Sequence, residues 1–204
     1  GHDSYVLGRR SVEGAWYYFP VAFAVKTPSA VLFLMLIALA GAIAALSRIS
    51  RQQYLQQLRQ ARFEWFILTI PPGFFFLLST YTHINIGLRH ILTIYPFLFV
   101  LIAAVLFRLR GVFWTRALPV LLCVAAVTQA AETARIHPHY LAFFNTISGG
   151  PARGPHYLVD SNLDWGQELK NIKRWLHANG NPPLCLTYFG SAIPVLYAIP
   201  FKSV

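Results

Sequence analysis

The chain has 204 residues, 56% of them hydrophobic and 12% charged, with a mean hydropathy of +0.49. That is too apolar for an ordinary soluble domain and places the chain among membrane proteins. A net charge of +10 would suggest nucleic acid in a soluble protein, but here the basic residues fall in short loops between apolar runs, which makes the lipid bilayer the expected partner and nucleic acid none.

The first residue is Gly1 and no signal peptide is visible, so the sequence reads as a piece of a longer protein. Residues 1–17 are polar and aromatic, and Trp16-Tyr17-Tyr18-Phe19 reads as an interfacial aromatic belt. Lys26-Thr27-Pro28 follows, with Pro28 suited to the first turn of a helix. The 19 residues 28–46 carry no charge, about the length that crosses roughly 30 Å of hydrocarbon. They form the first expected span, with an interfacial or re-entrant start over 16–25 as an option. Residues 47–62 hold Arg48, Arg51, Arg59 and Arg62, no acid, and five glutamines, a polar helical loop on the cytoplasmic side.

The second span is expected over 63–80, where Pro71-Pro72-Gly73 predicts a kink or break. A ten-residue hairpin, 81–90, then carries His83, Asn85, Arg89 and His90 before a third span over 91–107. Arg108, Arg110 and Arg116 form a second inner loop, and 117–131 is a short, mild fourth span. Cys123, in that run, and Cys185, in the tail, suggest no disulfide. Seven arginines in the two inner loops against one in the hairpin place residues 1–27, 81–90 and 136–204 on the outer face of the cell inner (plasma) membrane, the periplasm in a bacterium.

The tail is a different material. Residues 157–159 read as a short strand. Asp160-Ser161-Asn162-Leu163-Asp164 offers several N-cap residues. Trp165, Leu169, Ile172 and Leu176 set a helical rhythm over 165–179, and Asn179-Gly180 supplies the stop. A second strand is expected over 184–189. The fold class is therefore mainly α: about four transmembrane helices within residues 1–135, then a small extracytoplasmic α/β tail over 136–204.

Several side chains could carry chemistry. Arg89 can hold an anionic phosphate by bidentate hydrogen bonds, with His83 and His90 adding donors, or it can snorkel to headgroups while the histidines cap helix ends. Lys26 is either a second phosphate contact or an interfacial anchor. His137-Pro138-His139-Tyr140 lacks the further ligands of a metal site and reads as an interfacial loop. Asp160 and Asp164 are the one close carboxylate pair, and they suit helix capping better than acid–base work.

Five segments appear in order: Gly1-His2-Asp3-Ser4-Tyr5; Trp16-Tyr17-Tyr18-Phe19-Pro20 with Lys26-Thr27-Pro28; Asn85-Ile86-Gly87-Leu88-Arg89-His90 with Tyr95-Pro96; His137-Pro138-His139-Tyr140-Leu141-Ala142-Phe143-Phe144-Asn145; and Asp160-Ser161-Asn162-Leu163-Asp164-Trp165-Gly166-Gln167. Together they resemble the C-terminal part of bacterial membrane glycosyltransferases similar to the dolichyl-phosphate-mannose–protein mannosyltransferases. The resemblance covers nearly the whole chain. It implies a multi-spanning enzyme of the C-type glycosyltransferase fold, which passes a sugar with inversion from a polyprenyl-phosphate donor to a protein or glycan acceptor on the outer face. Its catalytic acid belongs to a first outer loop upstream, so no catalytic residue carries over. Arg89 and His90 become candidates for the donor phosphate, with His83 and Lys26 beside them, and Asp160, Asn162 and Asp164 candidates for bordering sugar or acceptor. No cofactor is evident. A divalent metal could assist the full-length enzyme, but this sequence shows no ligand set for it. The rival reading is a non-enzymatic protein that binds or transports lipid phosphates.

Overall fold

A computed structural model describes residues 4–47, 61–82, 84–109, 112–186, 188 and 192–203. The chain is mainly helical, with four helical segments long and apolar enough to cross a membrane. A two-stranded antiparallel ribbon leads, β1 (Ser4–Val6) against β2 (Arg9–Ser11). Helix α1 (Tyr18–Lys26) follows, then α2 (Ser29–Leu46) and α3 (Arg62–Tyr81).

The third span, Leu88–Arg108, has two parts: a 3₁₀ stretch Leu88–Ile94 and helix α4 (Tyr95–Arg108). Hydropathy shows one apolar run over 91–107. Where the winding changes, Pro96 lacks the N–H that an α-helix would donate to Leu92. The Tyr95 N–H takes the Leu92 carbonyl instead, three residues back. Helix α5 (Val112–Ile136) outruns its expected 117–131, because hydropathy marks the apolar middle of a helix and not its polar ends. Helix α3 continues through Pro71 and Pro72, so of the kink or break expected there the break does not occur. Pro72 and Gly73 instead line an apolar cleft of about 360 Å³ shared with Phe23, Phe76, Ile94 and Leu98.

Helix α1 corrects the interfacial expectation. Tyr18, Phe19, Ala22 and Val25 are buried in one cluster with Val6, Ile91, Tyr95, Phe144 and Leu158, and only Trp16 of the expected aromatic belt is strongly exposed. The cluster unites the N-terminal segment, the start of the third span and residues 144–158, so it crosses the boundary drawn at 135/136.

Two polar side chains fasten this assembly. Asn145, fully buried, donates from Nδ2 to the Ala24 and Thr27 carbonyls at 2.7 Å each and accepts from the Ser148 N–H at 2.8 Å. It thereby takes up carbonyls that the C-terminus of α1 leaves open. Glu132, near the end of α5, accepts from the Ser29 N–H at 3.0 Å, the Ser29 hydroxyl at 2.5 Å and the Thr146 N–H at 3.0 Å. A carboxylate at the N-terminus of α2 meets free N–H groups and the positive end of the helix dipole.

The tail departs from the strand–helix–strand expectation in detail. Residues Gly154–Tyr157 form a short helix, α6, and Leu158 makes a single bridge to Val6 rather than a strand. Helix α7 runs Leu169–Ala178. It starts four residues later than the apolar rhythm suggests, because Gly166 at φ 85° and the Asp164 Oδ1 bond to its N–H at 3.0 Å hold a turn there. Strand β3 (Cys185–Leu186) pairs in parallel with β4 (Lys202–Ser203), and Leu169, Leu176 and Ile199 close a separate small core.

Candidate functional site

Three segments meet at one end of the third span: helix α1, residues 84–90, and the turn at Asp160–Asn162. Asn162, 2% exposed, is the joint. Its Nδ2 donates to the Tyr18 hydroxyl at 2.7 Å and its Oδ1 accepts from the Leu88 N–H at 3.4 Å. Burial pushes the Tyr18 phenol above its ordinary pKa, against the Asn162 and Gly87 hydrogen bonds, while Asp160 and Arg89 act on it from nearby with opposite sign.

Lys26 is not an interfacial anchor. It is 6% exposed, and its ammonium donates to the Leu141 carbonyl at 2.8 Å and to the Asn162 carbonyl, with the Phe144 ring centred 4.5 Å away. Burial draws its pKa from 10.5 down to about 7. The two carbonyls and the ring favour the charged form, so Lys26 ties α1, residue 141 and residue 162 together whenever it is protonated.

Arg89 is exposed, and its guanidinium lies 4.2 Å over the Trp165 ring. Among the described residues no carboxylate forms a salt bridge with it. His90 is committed to packing. Phe19 stacks on it at 5.3 Å and Phe75 tilts against it at 5.7 Å, which fixes the plane of its ring. His83 lies outside the described residues. Asp160 is exposed with φ 57°, and neither it nor Asp164 caps α7, whose N-cap position is Glu168. The capping expectation fails for that helix, and Asp164 instead closes the turn at Gly166.

Sequence reasoning passed over Tyr18, Trp165 and the pair His139–Glu168. His139 Nδ1 and Glu168 Oε1 are 2.7 Å apart, and Asn171 Nδ2 donates to Glu168 Oε2 at 2.5 Å. Partial burial pushes the Glu168 carboxyl up, but the Asn171 and His139 hydrogen bonds outweigh it and hold the group below its ordinary pKa. Nothing in the local pattern around 139 or 168 could have paired them, because the contact spans 29 residues.

No group of three or more His, Cys, Asp or Glu gathers among the described residues. The closest approach to one, His139 with Glu168, already satisfies itself. The described residues do not fit a metal.

Fold and site together define a multi-pass membrane protein with a cationic, aromatic-backed site at the end of one span. Comparison with protein-family models, curated proteins and solved structures gave no match.

Proposed function

We propose that this chain is part of an integral membrane glycosyltransferase that moves a sugar from a polyprenyl-phosphate donor to a protein or glycan acceptor at the outer face of the plasma membrane. The observation that carries the reading is Arg89, an exposed guanidinium without a salt-bridging carboxylate among the described residues, braced on Trp165 at the head of a membrane span. An arginine in that setting suits a phosphate, which accepts two parallel N–H bonds, and the bilayer surface is where a lipid-linked phosphate lies. The arginine-rich loops support the outer-face orientation, and the ordered motifs support the donor class.

In this reaction the anomeric carbon–oxygen bond to phosphate breaks and the acceptor oxygen bonds the anomeric carbon with inversion. The acceptor proton goes to a base that we assign to no residue of this chain. The polyprenyl phosphate leaves with the electron pair, and Arg89 stabilises its growing charge. Lys26 and Asn162 act indirectly, by holding the segments that present Arg89.

The test is Arg89→Ala in the full-length enzyme, with sugar transfer measured from the lipid donor. The expected result is a loss of about tenfold or more in transfer and in donor affinity, partly restored by Arg89→Lys. Unchanged transfer and unchanged donor affinity would refute the phosphate role. Normal phosphate binding with no sugar transfer by the wild type would favour the non-enzymatic lipid-phosphate protein.

A further inference from the structure

We propose that the seam between residues 84–90 and the Asp160–Asn162 turn reads the hydroxyls of a sugar head group, with Asn85 and Ser161 as its specificity-determining residues. This rests on the donor reading above and adds to it which residues distinguish the sugar-bearing lipid from the bare one.

Four buried side-chain polar atoms lack a hydrogen-bond partner among the described residues, and three of them sit on these two segments: Asn85 Oδ1, Asn85 Nδ2 and Ser161 Oγ. Asn85 is 7% exposed and Ser161 is 6% exposed. Buried polar groups are nearly always paired, and an unpaired one is unfavourable, so each of these three atoms calls for a partner. Gly87 holds the seam shut. It has φ 91°, and a Cβ there would stand 3.2 Å from Ser161 Oγ and 3.3 Å from Asn162 Oδ1. Only glycine allows the two segments so close in that conformation.

The seam adjoins the phosphate site through Trp165. Ser161 accepts through its backbone carbonyl from Trp165 Nε1 at 3.2 Å, and the Trp165 ring carries Arg89. In a glycosyl phosphate the sugar hydroxyls lie a few bonds from the phosphorus. A phosphate on Arg89 therefore places hydroxyls beside the seam. The Asn85 amide supplies two N–H donors and a carbonyl acceptor, and the Ser161 hydroxyl supplies a donor and an acceptor, the inventory that neighbouring sugar hydroxyls require. When hydroxyls part the seam, they pair groups that were unpaired when it was closed.

The experiment uses full-length protein in detergent, titrated with a polyprenyl phosphate and with its mannosyl, glucosyl and galactosyl derivatives. Affinity and melting temperature are read for the wild type, Asn85→Ala and Ser161→Ala. The wild type should bind at least one glycosylated lipid about tenfold or more tighter than the bare lipid, and each variant should reduce that preference to about threefold or less. Bare-lipid affinity should hold within about threefold, because Arg89 is intact. The melting temperature without lipid should stay level or rise in Ser161→Ala, since a hydroxyl without a partner contributes no bond, and a purely structural serine would lower it. Variants that keep the wild-type preference, or that weaken bare and glycosylated lipids equally, overturn the inference, as does a wild type with no preference. A wild type that binds neither lipid overturns the donor reading itself. Ser161→Ala decides the matter if Asn85→Ala does not fold.

Discussion

Asn145 offers a direct test of what holds the assembly around α1 together. Replacing it with alanine removes three side-chain hydrogen bonds, to the Ala24 carbonyl, the Thr27 carbonyl and the Ser148 N–H. At about 1 kcal/mol net apiece these amount to about 3 kcal/mol. The Ser148 N–H keeps a longer bond to the Asn145 carbonyl at 3.2 Å, and Ala24 is exposed, so water can reach its carbonyl. Thr27 is fully buried, and losing its partner there adds about 1 kcal/mol or more, for a total of about 4 kcal/mol. Thermal melting in detergent, followed by far-ultraviolet circular dichroism, reads the change. A companion variant, Asn145→Asp, keeps the acceptor for Ser148 but turns a carboxylate oxygen toward two carbonyls. That raises the introduced carboxyl's pKa above its unfolded value, so this variant should regain stability as pH falls and lose it as pH rises through the raised pKa. A loss below about 1 kcal/mol for Asn145→Ala would show that the α1 terminus is held by apolar packing and refute the reasoning.

Two further predictions concern charge. The folded pKa of Lys26, about 7, lies below the 10.5 of an ordinary lysine, so between those values the unfolded chain binds more protons. Stability should therefore climb with pH across that window and be lowest below about 7, and Lys26→Met should flatten the climb in melting curves taken from pH 6.5 to 9.5; parallel curves would contradict a depressed lysine. Glu132→Ala should cost about 3 kcal/mol, since three donors lose a charged acceptor, whereas Glu132→Gln keeps one acceptor oxygen and should cost roughly half that. Equal melting temperatures for Glu132→Ala and the wild type would show the cap to be idle.

The spans were legible because a bilayer imposes length and apolarity on a contiguous run. The charge-free stretch after Pro28 became Ser29–Leu46 almost to the residue. Interior detail was not legible by the same means. Hydropathy does not distinguish α from 3₁₀ winding, so Leu88–Ile94 merged with the helix after it. Tyr18 and Phe19 look the same in sequence whether they face headgroups or a core, and only the arrival of Phe144 and Leu158 from far along the chain decides for the core. Lys26 misled for a related reason. A lysine beside an apolar run usually snorkels, and the carbonyls that hold this one belong to residues 141 and 162. At the candidate site, Arg89 stood out as a cation at a span end, whereas the unpaired state of Asn85 and Ser161 exists only once the two segments touch.

The Glu132 clasp bears on how the protein is built. Two of its three donors, both from Ser29, sit where the first span begins, and the carboxylate sits where the fourth span ends. Those two ends must therefore lie on the same side of the bilayer, a parity that holds independently of the arginine count. Their pairing also orders assembly. Until the fourth span is in place, the Ser29 amide lacks its acceptor and the first span has an uncapped end. The first and fourth spans thus become chemically complete together, however early the first one enters the membrane.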